Sequence, residues 1–287
     1  MVGSTSELYE IEHVSRYLYA SPVHHSILSL CLKPRNDQLQ RLFSYDVITT
    51  PQAHLSSETD FYGNTKQIMN IYQHHQTLEI TSRSVVECSS LPPLPGFSGA
   101  RAWEEILSWQ GSFRYWEFTR PSAFARPSSA LNSFLKKLDA RPGDDPLQSL
   151  LSLSSTLFRK FQYVPGATSV LSPIEHILKT GQGVCQDYAH VMIATARTWN
   201  IPARYVSGYL YLNGSGESRQ MASHAWVECL LPNLGWVGFD PTNDCTADQR
   251  YVRVAIGRDY QDVPPVRGVL MGGGESQLDV SIHVKLA

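Results

Sequence analysis

The sequence has no strong charge of either sign, no long apolar run and no paired-cysteine spacing. Each absence removes a class of function. Lys and Arg number 24 against 26 Asp and Glu, a formal net charge of -2. A protein that grips nucleic acid through a basic surface is not built this way. No apolar stretch approaches the roughly 20 residues that cross a bilayer as a helix. The start, Met1-Val2-Gly3-Ser4-Thr5-Ser6-Glu7, has neither a basic cluster nor an apolar segment. No secretory or transit leader is expected, and the chain reads as cytoplasmic.

The five cysteines, Cys31, Cys88, Cys185, Cys229 and Cys245, are odd in number and scattered through a long chain. That argues against a disulfide framework. No two of them have the spacing of a zinc knuckle, so neither a metal nor a cofactor is expected. At least one thiol must be free. What is present is ordinary: 42% hydrophobic and 17% charged residues in 287. That length holds a sizeable core in one large or two ordinary domains.

The first ninety residues read as strands. Leu28, Leu30 and Leu32 alternate with Ile27, Ser29 and Cys31, and Tyr9 to His13 alternates too. Leu78-Glu79-Ile80 and Val85-Val86 suggest more strands, with turns at Pro34–Asp37 and Tyr62-Gly63-Asn64. These make an N-terminal β-sandwich over residues 1–95. Leu91-Pro92-Pro93-Leu94-Pro95-Gly96 then breaks the chain.

Residues 96–287 form the second unit, and the sheet that holds the final strand is left open. Leu131, Phe134, Leu135 and Leu138 share a helical face, and Pro146 opens another helix. Ser172-Pro173-Ile174-Glu175 reads as a capping box, with Ser172 as N-cap. A helix from 185 to 199 is apolar on most sides and belongs in the core. Strands follow at about 203–212, 223–230 and 235–240, and Leu278 to Leu286 alternates without a break. The fold class is α+β.

Gly181-Gln182-Gly183-Val184 leads into the buried helix, so Cys185 falls in its first turn. Free N–H groups and the positive end of the macrodipole favour a thiolate there. The Cys185 N–H would also face a developing oxyanion. The base is not His190. Five residues along a helix turn it about 140° from Cys185. His224 fits better. Ser223 to Cys229 and Gly235 to Asp240 alternate as strands around the turn Leu231–Leu234. A hairpin centred on Pro232 sets His224 opposite Asp240, Trp226 opposite Gly238 and Glu228 opposite Trp236. Asp240 would then fix the imidazole tautomer and leave the other nitrogen for Cys185. Ala225, Val227, Cys229, Val237 and Phe239 would pack on the helix. The loop Asn213–Gln220 is polar, and either borders the site or is a plain turn.

Gly183-Val184-Cys185-Gln186-Asp187-Tyr188-Ala189-His190, Ile201-Pro202-Ala203-Arg204-Tyr205-Val206-Ser207-Gly208-Tyr209, His224-Ala225-Trp226-Val227-Glu228 and Gly235 through Asn243 resemble the core of the transglutaminase-like cysteine peptidase superfamily. Pro34-Arg35 and Asp60–Asn64 resemble the β domain that precedes this core in bacterial members, and Gly257–Gly268 their C-terminal segment. The resemblance implies a papain/transglutaminase-like core with its nucleophile at a buried helix N-terminus on an antiparallel sheet. It implies thiol acyl transfer through Cys185, His224 and Asp240, on a peptide, protein or small amide substrate. Hydrolysis, transfer to an amine, or a non-catalytic scaffold all remain open, as does oligomeric state. A second oxyanion donor is expected from Tyr163 or Gln162. Trp226 and Trp236 are candidates for a groove wall, against core packing.

Overall fold

The computed structural model describes residues 6–212 and 223–287. The loop 213–220 discussed above lies outside the described residues, as do residues 1–5.

The N-terminal module grows around one long strand, β1 (Ser6–Leu30). Beside it lie β2 (Gln40–Thr50), β3 (His54–Thr59), β4 (Thr65–Ile71) and β5 (His75–Ser89). The segments that read as separate strands near Tyr9 and Leu28 are thus two halves of one. The first half pairs with β5 and the second with β4. The sheet bends between those halves, where the β1–β5 register shifts. Tyr19, Leu28, Leu30, Met69, Ile71, Leu78 and Ile80 share one core, so the two wings close on each other. The sandwich is therefore a single curled sheet of seven strands.

Two of those seven come from the far end of the chain. β13 (Val266–Gly272) and β14 (Ser276–Leu286) both run antiparallel to β1, and the ladder carries Tyr9 against Leu286 and Leu30 against Val266. Residues 266–287, grouped by sequence with the second unit, are strands of the first sheet. The alternation of the last segment told that it was a strand; only the ladder tells where.

The helices follow the linker: α1 (Ala102–Ser108), α2 (Trp116–Thr119), α3 (Ser129–Lys137) and α4 (Pro146–Lys160). The Asp145 carboxylate caps α4 by accepting from the Gln148 N–H at 3.0 Å, with Pro146 in the first turn. β6 (Gln162–Tyr163), α5 (Ile174–Thr180), β7 (Gln182–Gly183) and α6 (Cys185–Thr198) come next. α5 starts one residue later than its capping box predicts. Pro173 is extended and occupies the cap position, while Ser172 Oγ turns back to accept from the Ser169 N–H at 3.0 Å. Helix α6 is the central one. Every residue from Gln186 to Arg197 is buried, which is what an all-round apolar sequence requires.

A second antiparallel sheet packs on α6. Its strands are β8 (Ala203–Leu210), β9 (His224–Leu231), β10 (Gly235–Asp240), β11 (Cys245–Thr246) and β12 (Tyr251–Gly257). Their order is β11-β10-β9-β8-β12. Ala225, Val227, Cys229, Val237 and Phe239 join the residues of α6 in one core, as the alternation predicts. The hairpin register differs from the one centred on Pro232. Val227 faces Phe239, Glu228 faces Gly238 and Gly235 faces Leu231. The pairing is displaced by two residues, so every side chain keeps its face. The free edge, β12, is stitched to the first module by side-chain amides. Gln40 bonds both the N–H and the C=O of Arg253, and Asn64 does the same at Ile256.

Candidate active site

Cys185 is the first residue of α6, half-buried, behind an extended Val184. The turn that places it is held by Asp187. Its carboxylate accepts from the Val184 N–H at 2.8 Å and from the Thr168 hydroxyl at 2.5 Å. Burial, first of all, raises the Asp187 pKa against those hydrogen bonds. Gly183 is required here, because a Cβ would stand 2.7 Å from Ile177 Cδ1 and 2.9 Å from Asp187 Oδ2. None of the described residues accepts from the Cys185 N–H. A helix-start N–H left free in this way can bind an oxyanion.

His224 opens β9, and its Nε2 lies 2.7 Å from Asp240 Oδ2. Asp240 is fully buried and closes β10. With Nε2 engaged, Nδ1 is the nitrogen left for the thiol. Burial works against a charged imidazole, but the hydrogen bond to Asp240, then the nearness of Cys185 and the Asp240 charge, outweigh it. The result is a pKa raised to about 10. The direction of the shift favours the imidazolium over the neutral ring. Burial alone would raise the Asp240 pKa, yet the bond and charge of His224, then Asn243 and Tyr251, bring it below the usual carboxylate value.

The support of Asp240 was the part the sequence missed. Oδ2 also accepts from Asn243 Nδ2 at 2.7 Å and from the Tyr251 hydroxyl at 2.8 Å, and Oδ1 accepts from the Thr242 and Asn243 N–H groups at 2.9 and 3.3 Å. An Asp followed by Pro-Thr-Asn signals an Asx turn, so the two backbone bonds were open to discovery. Tyr251 had no local signal; it arrives from another strand. Burial, then the charge of Asp240, holds its phenol protonated, so it remains a donor.

The remaining candidates divide. Tyr163 pairs with Gly183 in the short parallel ladder, two residues before Cys185. It is 47% exposed, and burial, then the nearness of Cys185 and Asp240, raises its pKa. Gln162 points the other way, as its strand neighbour must, and meets Gln182 at 3.5 Å. Trp226 cannot wall a groove, being fully buried with its ring stacked 6.2 Å from that of His224. Trp236 is half-buried under Arg204, whose guanidinium carbon lies 4.0 Å from the ring centroid. His190 is buried away from the thiol and accepts from the Tyr260 N–H at 3.2 Å. Among the described residues no cluster of His, Cys, Asp and Glu is arranged to hold a metal.

Residues 135–241, which include all three candidate catalytic residues, match the transglutaminase-like superfamily, and residues 9–87 match the bacterial transglutaminase-like N-terminal region. An uncharacterized protein of Mycobacterium leprae is 32% identical over 278 residues, spanning 96% of this chain and 97% of that one. The protein-glutamine gamma-glutamyltransferase of Pseudomonas aeruginosa is 34% identical over 103 residues, covering 32% of this chain and 15% of the enzyme. The crystal structure of a "putative cysteine protease" from Cytophaga hutchinsonii aligns with a TM-score of 0.80 at 18% identity, over 99% of this chain and 91% of that chain. The last of these is a likeness of fold.

Proposed function

This chain belongs to the transglutaminase-like superfamily, and from that membership we propose that it is a thiol-dependent amidase or peptidase acting through Cys185, His224 and Asp240. The observation that carries the reading is the 2.7 Å bond from His224 to a buried Asp240, on the sheet that packs against the helix Cys185 opens.

The Cys185 thiolate attacks the carbonyl carbon of an amide, and the carbonyl π pair moves to oxygen. The Cys185 N–H and the Tyr163 hydroxyl face that oxyanion. The tetrahedral adduct collapses, the C–N bond breaks, and imidazolium His224 gives its proton to the leaving amine. Asp240 holds the ring throughout and stabilises its charge. Water then attacks the thioester as His224 takes its proton, and the acid and the thiolate are released. An amine acceptor in place of water would make a transamidase. The local resemblance to a protein-glutamine gamma-glutamyltransferase supports keeping that second outcome. We also propose a peptide, protein or small amide as substrate and the cytoplasm as the location. All five cysteines are free, and a reducing compartment keeps Cys185 in its working state.

The test is mass spectrometry of the intact protein incubated with a panel of amides and thioesters. An acyl adduct on Cys185, absent in Cys185→Ala, is expected. Turnover undiminished in Cys185→Ala would sink the proposal. Adding a primary amine then separates the two outcomes, amide product against free acid.

A further inference from the structure

Beside the thiol lies a stretch of chain that the acyl-transfer scheme does not use. Between Lys160 and Glu175 the sequence contains no Asp, Glu, Lys, Arg or His. Its middle is tied to the first turn of α6 at two points. The Thr168 hydroxyl donates to Asp187 at 2.5 Å, and Gln186 Nε2 donates to the Ser169 carbonyl at 3.0 Å. Both partners, Gln186 and Asp187, follow Cys185 directly in the turn, one and two residues on. The next residues are therefore tethered to the turn that carries the thiol.

Those next residues are apolar and face outward. Val170 is 46% exposed and Leu171 74%. Neither belongs to a hydrophobic core. The turn that carries them is stiffened by its own polar groups. The Ser169 N–H donates to Ser172 Oγ at 3.0 Å, the Ser172 N–H to the Ser169 carbonyl at 3.0 Å, and the Leu171 N–H to Ser169 Oγ at 3.3 Å. The serines satisfy one another and leave the two aliphatic side chains as the outer surface. A rigid apolar edge is ready to bind without first being ordered, which lowers the entropic cost of contact.

We propose that this segment is the acyl-group recognition rim, that Val170 and Leu171 are its specificity residues, and that the acyl group taken is uncharged and apolar next to the attacked carbonyl. This rests on the thiol chemistry proposed above. A carboxylate or ammonium placed against the rim would lose water and find no oppositely charged side chain in the stretch. An aliphatic or aromatic group would cover Leu171 and remove apolar surface from water on both sides.

The experiment compares second-order rates of Cys185 alkylation by iodoacetamide, N-benzyl iodoacetamide and iodoacetate, using the full chain and reading the site by peptide mass. In each case the S–C bond forms and iodide leaves. N-benzyl iodoacetamide is expected to outpace iodoacetamide by about tenfold, the scale of discrimination by one small apolar contact. Leu171→Ser and Val170→Ser should bring that ratio close to the ratio for a free thiol. A ratio near one in the wild type, or a preference that survives both substitutions, overturns the rim. Failure of all three reagents at Cys185 instead overturns the thiol reading, and the rim with it. Leu171 is so exposed that its replacement leaves the fold intact, and Leu171→Met, which keeps an apolar contact, should restore the preference.

Discussion

Asp240 bonds His224 across a diagonal of the β9–β10 ladder, not across a directly opposed pair. Val227 faces Phe239, so the next step sets Asp240 level with Trp226, two residues from His224. The Nε2 to Oδ2 distance is nonetheless 2.7 Å. Diagonal neighbours on one face lie about 7–8 Å apart at the backbone, which a His and an Asp side chain together span. The Trp226 ring, stacked against that of His224, fills the space a direct pairing would have closed.

Asp240→Asn keeps the shape of this contact and removes the charge. The kcat for any amide substrate should fall by on the order of 10²–10⁴, with KM little changed, because the imidazolium is stabilised only in the charged pair. Steady-state kinetics of the purified variant checks this. The ratio of the two alkylation rates at Cys185, set by the Leu171 rim, should not move.

The raised His224 pKa fixes the sign of two pH effects. Stability from the charged pair is fully present below the ordinary value of 6.5 and is lost as pH rises through about 10. The depressed Asp240 pKa adds stability that is present above 3.8 and lost as pH falls through its lower folded value. Urea midpoints followed from neutral to alkaline pH should fall progressively between about 6.5 and about 10, and Asp240→Asn should flatten that fall. The alkaline limb of kcat/KM should likewise lie near 10 in the wild type and move down toward 6.5 in Asp240→Asn. A wild-type limb already at the ordinary value would contradict the charged pair.

Tyr251→Phe and Asn243→Ala each remove one donor from the oxygen that His224 uses. Each should cost about 1 kcal/mol of stability, the worth of an ordinary buried hydrogen bond. Each should also lower kcat several-fold, by about 5- to 30-fold, as the carboxylate gains freedom. The double variant should lose less than the product of the two, since the donors share one acceptor. Chemical denaturation and a double-mutant cycle on kcat are the measurements.

Glu228 joins the two modules from the middle of the second sheet. Its carboxylate meets Arg204 at 2.5 Å and Arg253 at 3.4 Å, and Arg253 in turn pairs with Asp37 of the first module. Glu228→Ala would leave two buried guanidiniums short of a partner. A loss of about 3–5 kcal/mol is expected, read as a fall in the denaturation midpoint. Thiol alkylation at Cys185 in the folded fraction should persist, because Glu228 touches neither Cys185 nor His224.

The residues of the site could be picked out in the sequence because they sit at positions that local rules expose. Cys185 follows a Gly-bearing turn into an apolar helix, and His224 and Asp240 have matching parity on two alternating strands. Face depends only on odd and even position, so a two-residue error in register left it untouched. Distance does depend on register, and there the sequence misled: the pair is diagonal. Gln162 and Tyr163 were equivalent as letters. They separated only in the ladder, which pairs one with Gln182 and the other with Gly183, two residues before the thiol.

By itself, then, the sequence determined what is periodic or local: the strands, the buried helix, the cap that carries Cys185 and the shared face of His224 and Asp240. Tertiary structure decided what depends on contacts between distant segments. It placed Tyr251 on Asp240, buried Trp226 behind His224, sent 266–287 back to β1 and stitched β12 to Gln40 and Asn64. The physical reason is one of range. Propensity, parity and capping act over a few residues, whereas hydrogen-bond partners and burial are set by whichever surfaces the fold brings together.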